Sequence, residues 1–203
     1  MPRTGRRAAF IAVVLSVVAS RSLAQVESGS HQWTHATSIG IYAGGSTSAG
    51  DLRPSLGGTA GWELSRWAAV ESRGDWFERS AGSQSCGATI NAIVNLRPRQ
   101  TVTPFASMGF GLHHTSFDTV LADMPEFYRR RMGGDGLSLA RQVRSFTDPA
   151  FSFGAGVDLL ATRHLAVRPE VGLRLVAGNG RTDTVETFGV RVAYRFEVHR
   201  VTP

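Results

Sequence analysis

Between residues 37 and 196 the chain divides into segments of about ten residues, in each of which apolar side chains alternate with small or charged ones. Eight such segments stand near 37–46, 55–64, 67–78, 86–96, 102–113, 150–160, 164–175 and 185–196, separated by Gly, Pro, Ser or Arg clusters. The stretch VRPEVGLRL shows the alternation at its sharpest: Arg168, Glu170 and Arg174 fall on one face, Val167, Pro169, Val171, Leu173 and Leu175 on the other. The last segment sets Phe188, Val190, Val192, Tyr194 and Phe196 against Thr187, Gly189, Arg191, Ala193 and Arg195. A period of two predicts a strand, and about ten residues is the length a tilted strand needs to cross a bilayer.

Two faces leave two ways to close a barrel. In a soluble lipocalin-like barrel the apolar face points inward and binds a ligand; in a membrane barrel it points out to lipid, and the polar face lines a narrow interior. Three features favour the second. Gly40, Gly44, Gly57, Gly61, Gly109, Gly111, Gly154, Gly156, Gly172 and Gly189 share the polar face, which suits an interior with little room. The charges on that face balance, with Glu63, Glu71, Asp75, Asp158 and Glu170 against Arg73, Arg168, Arg174, Arg191 and Arg195. An unmatched charge shut away from water is costly, so a structural network of these residues is expected in the interior. The connections also alternate: 65–66, 97–101 and 161–163 are short, while 47–54, 79–85, 114–149 and 176–184 are long. Short periplasmic turns and longer external loops are the rule for such barrels. The predicted fold is all-β: an eight-stranded antiparallel up-and-down transmembrane β-barrel over 37–196, with one long external loop. Eight strands enclose space filled by their own side chains, which excludes a wide aqueous channel.

TPFASMGFGL (103–112), FSFGAGVDLLATRHLAVRPEVGLRL (151–175) and FGVRVAYRF (188–196) make the chain resemble the eight-stranded outer-membrane β-barrel domains of the OmpA/OmpX type, over essentially residues 36–196. That resemblance implies a monomeric outer-membrane protein, surrounded by outer-membrane lipids and inserted by the barrel-assembly machinery. Its role would be structural or one of surface interaction, without catalysis. The chain departs from the pattern in continuing with residues 197–203 after Phe196.

The N-terminus supplies the route. Arg3, Arg6 and Arg7, the uncharged run 8–20, and Ser22-Leu23-Ala24 together read as a secretory signal peptide over 1–24 that is cleaved after Ala24, followed by a linker over 25–36. This changes the charge picture. The formal net charge is +6, but the basic residues are all arginine, and removing four of the 22 and none of the 16 acids leaves +2. Nucleic acid is therefore not an expected partner. Cys86 is the single cysteine, which excludes an internal disulfide and a multi-cysteine metal site, and no cofactor is expected.

Two places carry candidate chemistry. His114 and Ser116, two apart on a strand, share a face and resemble the His-x-Ser of outer-membrane lipid A deacylases; that family follows the serine with an asparagine, where this chain has Phe117. A deacylase-like lipid A-modifying enzyme is thus the rival reading to a non-catalytic barrel. The long connection 114–149 presents Arg129, Arg130, Arg131, Arg141 and Arg144, whose planar guanidinium groups suit lipopolysaccharide phosphates. The competing expectation is that they pair with Asp118, Asp123, Glu126, Asp135 and Asp148. Trp62, Phe110, Phe151, Phe188, Tyr194 and Phe196 take the lipid parity, and Trp67 is expected to turn inward at the periplasmic mouth.

Overall fold

The computed structural model describes residues 36–48, 51–80, 83–97, 101–118, 126–132, 143–162, 164–178 and 180–197. The expected signal peptide, all of the expected linker but Ala36, and residues 198–203 lie outside these, as does Arg141. Eight strands follow one another: β1 Ala36–Ser48, β2 Asp51–Glu63, β3 Ala68–Ser80, β4 Ser83–Asn95, β5 Val102–Asp118, β6 Val143–Leu160, β7 Leu165–Gly178 and β8 Arg181–Glu197. Each pairs antiparallel with the next, and β1 closes the barrel on β8 from Ala36↔Glu197 to Thr47↔Glu186. In the β5–β6 connection one helical turn, α1 Glu126–Arg129, continues as a 3-10 turn, Arg130–Met132.

Burial follows the alternation. In β4 buried and exposed residues alternate strictly from Ser83 to Val94. Across the barrel the outward positions are apolar and open, with Ile41 72% exposed, Phe110 64%, Trp62 60% and Val171 58%, while Arg168, Arg174 and Arg191 on the inner face are 6%, 4% and 3% exposed. An apolar outside around a charged inside is the polarity of a protein whose solvent is hydrocarbon. A soluble ligand-binding barrel has the opposite arrangement.

The strands outrun the sequence pattern by two residues or more only at the end of the long connections. β5 was expected to stop at residue 113 and continues to Asp118; β6 was expected from 150 and starts at Val143, which shortens the long loop to 119–142. β1, β2, β3, β4, β7 and β8 likewise extend past their expected limits toward the long connections. In these rungs the outward positions carry His114, Ser116, Ser145 and Thr147, yet the inner ones, Thr115, Phe117 and Asp148, remain buried. The backbone ladder and the filled interior hold the strands, so an apolar exterior is needed only where lipid touches it.

Trp67 corrects a second expectation. It lies in the β2–β3 turn and is 49% exposed. Its N–H, like that of Ala68, donates to the Ser65 hydroxyl, so turn geometry and not strand parity sets the ring's direction.

Candidate functional site: the charged interior and the external rim

The inner face stacks ionic layers from the short-turn end upward. Arg195 pairs with Glu63. Next comes a four-membered cluster, in which Arg168 donates to Asp158 (Nε to Oδ1, 2.7 Å) and to Glu71 (3.2 Å), while Arg191 pairs with Glu71 and reaches Asp158 at 4.0 Å. Arg73 pairs with Glu170, and Arg174 holds both oxygens of Asp75, at 2.9 and 2.8 Å. All ten charges named from the alternation are thus engaged with one another. The partners lie on different strands, which ties the wall together across the interior.

Three inward aromatic side chains escaped the sequence reading. The Arg73 guanidinium lies 4.0 Å from the Tyr42 ring centroid, that of Arg168 4.3 Å from Phe105 and that of Arg174 5.9 Å from Phe77. Each ring covers a guanidinium face while carboxylates take its edge, which suits a group whose faces donate no hydrogen bonds. The signal was available, because Tyr42, Phe77 and Phe105 interrupt a face otherwise small or polar. Gly87 belongs to the same layer: a Cβ there would collide with Nη1 of Arg174 and approach Oδ1 of Asp75 to 2.7 Å.

Between these layers a cavity of about 40 Å³ is lined by Glu71, Arg73, Asn91, Ser152, Glu170 and Arg174, among others. That is room for a few waters and for nothing larger. Ser152 donates to Asn91 at 2.6 Å beside it. Among the described residues no three His, Cys, Asp or Glu side chains gather to hold a metal.

Above the cavity the interior becomes neutral and then aromatic. His113, fully buried, meets Thr115 at 2.9 Å, and Thr115 meets Ser85 at 2.9 Å. The helical turn closes this end. Tyr128 is fully buried, its ring centroid 4.9 Å from that of Phe117, 5.2 Å from Phe146 and 4.7 Å from Phe127. Nη1 of Arg131 lies 2.7 Å from both oxygens of Asp148, and its guanidinium carbon 4.8 Å from the Phe146 centroid. Of the rim arginines, Arg131 therefore points into the barrel as a latch. Arg130 pairs with Glu126 one turn earlier, and its hydrogen bond and charge hold that carboxyl below its ordinary range. Arg129 and Arg144 are exposed.

His114 and Ser116 do share the outer face. Nδ1 of His114, however, meets the Thr147 hydroxyl at 2.8 Å. Its cross-strand neighbours are Cys86 and Thr147, with no carboxylate between them to orient an imidazole base. Asp118 stands four positions along the strand, about 13 Å away at the usual rise per residue.

A family model described as the outer membrane protein β-barrel domain matches residues 10–196. A search of curated proteins finds none that matches the chain. Among solved structures, Neisserial surface protein A is similar at 12% identity and TM-score 0.58, covering 80% of this chain and 97% of that one. The attachment invasion locus protein Ail of Yersinia pestis, solved with the heparin analogue sucrose octasulfate, is similar at 13% identity and TM-score 0.53, over 81% and 100%. The N-terminal β-barrel domain of Pseudomonas aeruginosa OprF gives 15% identity and TM-score 0.52, over 78% and 97%. At such identities the likeness is one of fold.

Proposed function

The chain belongs to the outer membrane protein β-barrel domain family, and from that premise we propose that it is a non-catalytic barrel whose interior stiffens the wall and whose external rim meets ligands. The observation that carries this reading is the contrast between charge shut inside the barrel and charge exposed at its rim. Inside, each carboxylate of the network has a guanidinium partner and the cavity is too small for a substrate. Outside, Arg129, Arg130 and Arg144 are exposed on the tallest hairpin, Arg130 while paired with Glu126. Guanidinium groups at that height favour phosphate-bearing or sulfated glycans, lipopolysaccharide first among them.

The lipid A deacylase reading is weaker on this geometry, because His114 is engaged by a threonine and Phe117, the residue after the serine, is fully buried. The test is binding of purified lipopolysaccharide to the folded protein at several salt concentrations. Changing Arg129, Arg130 and Arg144 together to serine is expected to weaken binding several-fold and to flatten its salt dependence. Unchanged binding by a normally folded variant leaves only the structural role.

A further inference from the structure

His113 is the one histidine among the described residues that faces the interior, and neither the ionic layers nor the rim makes use of it. It is fully buried. On β5 it stands opposite Asp148 of β6 and opposite Gly87 of β4, on one inner rung. The Cβ atoms of such opposed residues lie about 5 Å apart, so His113 and Asp148 stand side by side. Gly87 offers no side chain as a screen on the other flank: the place of its missing Cβ is met by Nη1 of Arg174 and, at 2.7 Å, by Oδ1 of Asp75. Toward the mouth, Nε2 of His113 lies 2.9 Å from the Thr115 hydroxyl, and that hydroxyl lies 3.5 Å from the hydroxyl of Tyr128 in the helical turn.

The charges around this imidazole are balanced without it. Among the described residues, the charged and titratable side chains of this layer are Asp75 from β3, Asp148 from β6, Arg174 from β7, and Arg131 and Tyr128 from the helical turn; β4 contributes only Ser85 and Gly87. Arg174 holds both oxygens of Asp75, and Arg131 both oxygens of Asp148. Two guanidinium groups thus match two carboxylates. A proton on His113 adds a third cation where water does not reach, and such an unmatched charge is costly. The two arginines differ in what carries them. Arg174 belongs to the wall, whereas Arg131 sits on the turn between β5 and β6, which can lift without breaking a rung of the ladder. Lifting removes Arg131 from Asp148 and admits water, and leaves His113 directly opposite the carboxylate that has lost its partner.

We propose that His113 is a proton-operated release for the helical turn: its protonation replaces Arg131 by His113 as the counter-ion of Asp148 and frees the turn from the mouth of the barrel. The docked state is balanced with His113 neutral, and the released state is balanced with His113 charged. Protons therefore favour release, so docking is complete at neutral pH and is lost as pH falls through the histidine range, about pH 7 to 5. Arg129 and Arg130 ride on the same turn, but the release does not depend on what they bind.

The test follows the turn directly. Glu126 is exposed and stands outside the aromatic pack, so Glu126→Cys in a Cys86→Ser background gives one site for a nitroxide label on the full folded chain in phosphatidylcholine bilayers. Its electron spin resonance spectrum is read between pH 8 and 5. The immobilised component is expected to dominate at pH 8, and the mobile fraction to rise several-fold, reversibly, by pH 5. With His113→Gln added, the spectrum should stay immobilised throughout; His113→Asn serves the same purpose where the glutamine variant does not fold. No change in mobility down to pH 5 overturns the inference. A rise that persists without the imidazole also overturns it, and assigns release to protonation of a carboxylate such as Asp148. Heat-modifiable gel mobility at each pH keeps release of the turn distinct from unfolding of the barrel.

Discussion

Replacing Arg168 by leucine removes the one guanidinium that Asp158 and Glu71 share, leaving Glu71 to Arg191 and Asp158 with Arg191 only at 4.0 Å. A buried pair broken on one side leaves a charge without compensation, at a cost of about 3 kcal/mol. Val171→Leu, three positions along the same strand but facing outward, adds one methylene to a lipid contact and should be nearly silent. Unfolding titrations of both variants in lipid check this, and a larger loss for Val171→Leu would reverse the assigned faces. The sequence shows why Arg168 faces inward, since a period of two leaves it no other side. It does not show with which acid it pairs, because partners such as Glu71 lie 97 residues away and are chosen by the tilt of the strands. Nor does it show that Phe105 shields the guanidinium face. Phe105 shares the parity of Gly109 and Gly111, so its inward direction could have been read, but the guanidinium it covers could not.

At the scale of elements, the aromatic pack around Tyr128 makes a definite claim about the long connection. Replacing 119–142 by a short Gly-Ser turn removes Tyr128, Phe127 and the Arg131 latch, but no rung of the ladder, since β5 ends at Asp118 and β6 begins at Val143. The shortened barrel should still insert and keep its heat-modifiable mobility. Its stability should fall by a few kcal/mol, as expected for removing a buried aromatic side chain, with a small part restored by the shorter loop. Failure to fold would show that the helical turn is required to shape the barrel. The element pattern also explains where sequence reading loses precision. Periodicity of apolar residues reports contact with lipid, and lipid ends before the strands do. His114, Ser116, Ser145 and Thr147 occupy outward positions where a polar side chain says nothing for or against a strand. The lower ends were legible because the turns there are short and follow the apolar band directly.

For the barrel as a whole, the seam between β1 and β8 matters most. Twelve rungs join the start of the described chain to its end, from Ala36↔Glu197 to Thr47↔Glu186. A chain stopped at residue 180 lacks β8 entirely, so β1 and β7 each keep a row of unmatched N–H and C=O groups that hydrocarbon cannot satisfy. Such a truncated protein should show neither heat-modifiable mobility nor recovery in the membrane fraction as a folded species; a folded, shifted band from it would show that seven strands can close. Closure that depends on the last residues also has a genetic reading. Nonsense or frameshift mutations anywhere up to about the start of β8 should be equivalent null alleles with no graded series between them, whereas lesions in the codons for 119–142 that keep the frame should be tolerated.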